Sequence, residues 1–333
     1  MNRSLCINAY LILVLCAAIN SVNVAAHENT VVIPMFGNSV NTLKNIVSVA
    51  GSGGDYTNPV TAMASITDAS ASNPYLVVIG PGIYPLSAQI IMQDYVDIIG
   101  SGQNTTFLTG SISSLLAVDS AILIGANNSS LRNLSIENSS GSGQLTVGIY
   151  NNGTSPTLEN VSISVIDSNN SQYGIRNENT SSLTLKDVNI DISGGSDIQF
   201  GIWNESSDMS IVKTTINLSE GENSQFGIFN GIASSTIVTQ SKITITGGDG
   251  FYNGVFISDS NSYAIIRDSV IFVSGTDNNN LFSIRPGLGS GTSESYISNT
   301  VINAQFNGGN AKCIFVFEKD GTPYDEDCDP PPT

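Results

Sequence analysis

A four-residue block, Gly-Ile-x-Asn, returns along this chain at a nearly constant interval. It stands at Gly148-Ile149-Tyr150-Asn151, Gly174-Ile175-Arg176-Asn177, Gly201-Ile202-Trp203-Asn204 and Gly227-Ile228-Phe229-Asn230, with an altered copy at Gly254-Val255-Phe256-Ile257. The glycines lie 26, 27, 26 and 27 residues apart. A second block follows about ten residues behind, as in Leu158 to Ile163 and Leu185 to Ile190, and Leu131 to Ile136 carries the register one unit back. A fixed period of this length signals a repeat architecture, in which each unit buries its apolar face only by stacking on its neighbours.

Inside a unit the apolar residues alternate, as in Val188-x-Ile190-x-Ile192, which is the period of strands with one buried face. Asn, Asp, Ser and Gly clusters separate the runs and supply turn chemistry. No segment between the repeated runs has a helical period, so alternating strands and helices are excluded. Three short strands per unit, without hairpin dipeptides, predict an all-β coil whose rungs stack in parallel about 4.8 Å apart.

The ends read differently. Met1-Asn2-Arg3, the apolar run Ala9 to Ile19 and Val24-Ala25-Ala26 form the pattern of a secretory signal peptide over residues 1–26. Export to the periplasm or cell exterior is the expectation, with a lead segment at 27–48, a coil over 49–310 and a tail at 311–333. No later segment has the roughly 20 apolar residues of a membrane span. Cys6 and Cys16 would leave with the signal, so Cys313 and Cys328 are expected to form a disulfide in the tail. Eleven Lys and Arg against 28 Asp and Glu give a formal charge of −17. Such a surface repels nucleic acid, and repels polyanions such as pectate as well.

Further motifs carry a family resemblance. Gly53-Gly54-Asp55-Tyr56-Thr57, the run Val60 to Ile66, Tyr75 to Tyr84 with Gly80-Pro81-Gly82, Tyr95 to Gly102, and Ile124 to Asn138 resemble the opening of pectin methylesterases. The resemblance implies a right-handed single-stranded parallel β-helix of the pectin-lyase-like kind. It also implies a short N-terminal helix near Val60 to Ile66 that caps the open coil. Pectin methylesterases use two glutamines, two aspartates and an arginine. Here the first glutamine stretch would fall at Leu145 to Ile149, with Gln144 one position away. Gln93-Asp94 comes several coils early, and Ile284-Arg285-Pro286-Gly287 only faintly echoes the arginine element. His27 is the sole histidine, so histidine acid–base chemistry and histidine metal sites have no donors in the body of the chain. Arg132, Arg176, Arg267 and Arg285 are spread over separate rungs, which suits solvated rib positions.

No catalytic residue is assigned, and the chain reads as a protein without the family's catalytic motifs. A glycosidase-type carboxylate pair stays open, because Asp and Glu are plentiful. Asp167, Asp197, Glu220, Glu222 and Asp249 recur in the turns before the anchors and could hold Ca²⁺, although turn geometry and solvation are the favoured explanation; no cofactor or metal site is assigned.

The sharpest functional candidate is a face. If Ile149, Ile175, Ile202 and Ile228 point inward, strict alternation puts Tyr150, Arg176, Trp203, Phe229 and Phe256 outward in one column. The same parity puts the anchor glycines outward, and Gln172, Gln199 and Gln225 in a third outward column. Aromatic, bare backbone and amide, repeated rung after rung, suit a neutral polysaccharide or surface glycan. The competing reading has the stripe covered by segment 27–48, by the tail or by another subunit of an oligomer. Carbohydrate or surface binding through this rib is the expectation. An enzyme of the pectin esterase or lyase type and a purely structural, spike-like solenoid are the alternatives.

Overall fold

The computed structural model describes residues 45–139, 145–166, 170–247, 250–259, 261–276, 280–286, 295–306 and 311–328. The expected signal peptide, most of the lead segment, Gln144, Asp167 and Asp249 lie outside the described residues.

Strands wind into two parallel sheets. Among the described residues the anchor sheet has nine strands and carries the Gly-Ile-x-Asn blocks; the broad sheet has 17 and takes two strands from most coils. Each rung pairs with the next in the register that the repeat predicts: Ile149, Ile175, Ile202, Ile228 and Val255 are successive ladder partners. The architecture is an all-β right-handed parallel β-helix of about nine turns. Its ladder runs from Asn45, paired with Tyr75, to Glu318, paired with Ile302.

Alternating Ile, Val and Leu fill the interior; Leu158, Val161, Ile163, Ile190, Ile216 and Ile243 are all at most 1% exposed. The corner between the two broad-sheet strands of a coil is made by one residue in the left-handed region, at Asn133, Asn160, Asp187, Lys213, Gln240, Asp268 and Asn299. Asn and Asp tolerate that conformation better than other non-glycine residues, which accounts for five of these seven.

The expected cap is present as a helix over Pro59–Ser65. Asn58 accepts the Val60 N–H at its start and Pro59 occupies the first turn, a sequence signature for helix entry. Ala62, Met63 and Ile66 plug the first core layer, and Gln93 Nε2 ties the helix down by donating to the Met63 carbonyl at 2.7 Å. At the other end Cys313 and Cys328 are disulfide-bonded. Among the described residues no helix is long and apolar enough to cross a membrane.

Candidate functional site

The outer face of the anchor sheet departs from strict alternation at one repeated point. A Cβ built on Gly148 would lie 2.5 Å from Ile163 Cγ2 and 2.6 Å from the Gly174 carbonyl, and one on Gly227 would lie 2.5 Å from both Ile243 Cγ2 and the Gly254 carbonyl. Those isoleucines belong to the core, so the anchor glycines face inward and not outward. The following isoleucine faces inward too. Each anchor strand therefore kinks at its glycine, and because every rung carries the same kink the ladder stays in register on both sides.

The kink moves the residues before it to the opposite faces. Gln172, Gln199 and Gln225, expected outside, are 0%, 1% and 0% exposed. They form an amide ladder: Gln199 Nε2 donates to Gln172 Oε1 at 3.1 Å, and Gln225 Nε2 to Gln199 Oε1 at 2.8 Å. Gln199 Nε2 also reaches the Gly194 and Ser219 carbonyls. Glutamine and glycine are thus removed from the ligand face, for the physical reason that alternation is broken once per rung. On the far side of the kink Asn151, Asn177, Asn204 and Asn230 are fully buried. Asn177 Nδ2 donates to Asn204 Oδ1 at 2.8 Å, and Asn204 Nδ2 to Asn230 Oδ1 at 3.2 Å. Stacking thus links the amides from Asn177 to Asn230, whereas the buried Asn151 amide and Asn177 Oδ1 make no hydrogen bond among the described residues.

Three columns remain outside. The first, which alternation hid, holds Val147, Tyr173, Phe200 and Phe226. Tyr173–Phe200 and Phe200–Phe226 stack with centroids 4.9 and 5.2 Å apart. Asn253 continues this column, fully buried, and its side-chain amide makes no hydrogen bond among the described residues. The second column is Tyr150, Arg176, Trp203, Phe229 and Phe256. Tyr150 is buried; the other four are half-buried. Trp203 and Phe229 lie face to face at 4.2 Å, and Phe256 tilts onto Phe229 at 5.3 Å. The two columns meet edge to face, as in Phe200–Trp203 at 4.9 Å. Ring faces are consequently spent on one another and the surface presents ring edges. Arginines close both ends: the Arg176 guanidinium lies 5.0 Å from the Tyr173 ring and 5.5 Å from Trp203, and that of Arg285 lies 4.8 Å from Phe282 and 5.7 Å from Phe256.

The third column is Asn152, Glu178 and Glu205 on successive rungs. Glu178 accepts from Tyr150 Oη at 2.9 Å and from Arg176 Nε at 2.5 Å. Burial, reinforced by the bond to Glu178, pushes the Tyr150 hydroxyl up to about 12. Glu205 is held above the ordinary carboxylate value by desolvation, against the Ile232 N–H that it accepts, and neighbouring Glu178 raises it further. A Cβ at Gly231 would collide with its carboxylate. The sequence signal for these two residues was a Glu at the same offset, three residues after the anchor isoleucine, in two consecutive repeats.

A second polar groove, of about 580 Å³, runs along the broad sheet past Asp94, Asp97, Arg132 and Glu159. Its charges alternate up the stack and neutralise one another: Arg132 pairs with Asp97 at 3.2 Å, and Lys186 pairs with Glu159. Asp94 and Asp97 accept backbone N–H groups of Asn127 and Ser130, so the Gln93-Asp94 dipeptide has structural work on both residues. Arg267 is exposed on the broad sheet. Among the described residues no three His, Cys, Asp or Glu side chains converge as a metal site; Asp197 instead accepts from Ser171 Oγ at 2.8 Å.

No family model matches the sequence, and no curated protein matches it. Among solved structures the chain is similar to a pectin methylesterase mutant in complex with a hexasaccharide, at 13% identity over 86% of this chain and 92% of that one, with a TM-score of 0.51. The rice weevil pectin methyl esterase is similar at 14% identity over 89% and 86% (TM-score 0.49), and the carrot pectin methylesterase at 15% over 77% and 86% (TM-score 0.43). The likeness is one of fold alone: the chain is a pectin-lyase-like parallel β-helix, similar in architecture to the pectin methylesterase matched at a TM-score of 0.51.

Proposed function

We propose that this protein is exported and binds a neutral carbohydrate polymer along the outer face of the anchor sheet. The observation that carries the reading is the half-exposed aromatic row Trp203, Phe229 and Phe256, flanked by the Glu178–Glu205 column. From Tyr150 to Phe256 the strip crosses four rung spacings, roughly 19 Å at about 4.8 Å each, which suits an extended chain lying along the stack. An apolar strip of this kind is seldom left bare on a soluble monomer. The carboxylate column accepts hydroxyl donors and repels uronates, and Arg176 is already engaged by Glu178.

Ring edges make weaker contacts with sugars than ring faces would, so affinity should build from several rungs together. An oligomer contact on the same strip is the second reading, favoured by the interlocked edge-to-face packing. A titration of Trp203 emission with neutral glycans and with polygalacturonate tests both. A saturable shift with a neutral glycan, lost in Phe229→Ala, supports binding. If no glycan moves the emission while Phe256→Lys changes the mass in solution, the strip is a subunit contact and the carbohydrate reading falls.

A further inference from the structure

The last strand, Ala311–Glu318, pairs on one side with Ser295–Ile302. A stacked coil must end somewhere, and its final strand offers unpaired N–H and C=O groups to any other strand. Here the chain turns at Asp320 and Gly321 and runs back along that free edge. Glu318 N–H donates to the Thr322 carbonyl at 2.8 Å, Tyr324 N–H to the Val316 carbonyl at 2.9 Å, and Cys313 N–H to the Glu326 carbonyl at 3.0 Å. The returning segment also seals the last core layer: Tyr324 is 9% exposed and Cys328 1%, packed with Ile297, Ile302 and Val316 in the main core. The Cys313–Cys328 disulfide and a Lys312–Asp327 ion pair pin its far end.

We propose that the returning tail is a removable cap over a self-association edge, freed when an external dithiol reduces the Cys313–Cys328 disulfide to two thiols and is itself oxidised to its disulfide, and that the partner it excludes is a second copy of this chain. Among the described residues three backbone bonds to the strand, the Lys312–Asp327 pair, the Tyr324 Oη–Glu318 hydrogen bond and apolar packing hold the tail, and the disulfide is the covalent tie that keeps it seated. Once the tail leaves, the edge presents the Cys313 N–H, the Val316 carbonyl and the Glu318 N–H, and Ile314 and Phe315 already stand 56% and 73% exposed beside it. Two identical edges related by a two-fold axis pair antiparallel, residue for residue, and close on themselves. The opposite end of the coil is plugged by the Pro59–Ser65 helix, so the uncapped chain is expected to stop at a pair and not grow into a filament.

The test compares the oxidised mature protein with Cys313→Ser/Cys328→Ser by light scattering during size exclusion, over a hundredfold range of concentration. The expected result is a twofold mass increase in the double serine variant at high concentration. Amide exchange at Cys313 (Ser in the variant) and Glu318 should be fast at low concentration and slow at high. Adding Ile314→Lys and Phe315→Lys, both at exposed positions, should return the mass to the parent value. If the double serine variant is less folded by circular dichroism, the oxidised protein treated with a dithiol reductant supplies the same comparison. An unchanged mass with folded, uncapped protein overturns the proposal, and so does open-ended growth.

Discussion

The inward kink at the anchor glycines can be tested with a single methyl group. In Gly227→Ala the new Cβ would sit 2.5 Å from the Gly254 carbonyl and 2.5 Å from Ile243 Cγ2. The carbonyl belongs to the ladder of the next rung and cannot swing aside as a side chain can. Overpacking of a tight core costs about 1–3 kcal/mol, and the rigid partner places this case near the top of that range. Against it stands a gain of about 0.4–1 kcal/mol from stiffening the unfolded chain. A net loss of about 2 kcal/mol follows, which lowers the melting temperature by roughly 4–8 °C in a domain of this size. Thermal melts by far-UV circular dichroism would read it. Gly51→Ala, where a Cβ meets nothing within 4 Å, is the control. If Gly227→Ala melts within about 1 °C of the parent, the glycines face solvent, as strict alternation requires, and the account of the outer face is wrong.

Three other outcomes follow from the same geometry. Gln199→Leu leaves Gln172 Oε1 and Gln225 Nε2 without their partner, and should cost about 1–3 kcal/mol in denaturant unfolding while leaving any glycan titration unchanged. Asn253→Leu replaces an unpaired buried amide by an apolar group of similar volume, and should stabilise by about 1 kcal/mol; a loss in the same assay would show that the amide has a partner in solution. Glu205 holds its proton more tightly folded than unfolded, so its ionisation opposes folding above its raised value, and the penalty vanishes as pH falls to the ordinary 4.5. Glu205→Gln should therefore unfold at higher denaturant than the parent at pH 7, with the difference closing below pH 4.5; a constant difference across that range would refute the desolvation argument.

Much of the fold was legible because a solenoid writes its geometry as a period. The spacing of Gly148, Gly174, Gly201, Gly227 and Gly254 fixes which residues are ladder partners, and the alternation of Val188, Ile190 and Ile192 fixes which sheet face is buried. The helix over Pro59–Ser65 was expected from the family resemblance alone, and its Asn58-Pro59 entry shows only in the structure. The site was less legible for one physical reason. A two-residue period carries a face assignment along a strand only until the backbone kinks, and a single glycine reverses everything before it. Gln172, Gln199 and Gln225 were therefore placed on the wrong face although Arg176 and Trp203 were not. A stack of Tyr173, Phe200 and Phe226 inside a coil already filled by isoleucine would have been overfull, and volume was the clue that periodicity lacked. Glu178 and Glu205 matter only as neighbours across rungs, a relation that composition does not show.

The two amide ladders have a polarity. Along the asparagines each Nδ2 donates toward the C-terminal end, from Asn177 to Asn204 to Asn230, whereas along the glutamines each Nε2 donates toward the N-terminal end, from Gln225 to Gln199 to Gln172. Main-chain carbonyls fix both senses, since Asn204 Nδ2 also reaches Ser207 and Gln199 Nε2 also reaches Ser219. The interior of the coil thus contains two rows of aligned amide dipoles running in opposite directions, so their fields oppose each other along the axis. A β-helix with one such row would carry a growing axial dipole as rungs were added. With two opposed rows, this stack can lengthen by whole repeats without charging its ends.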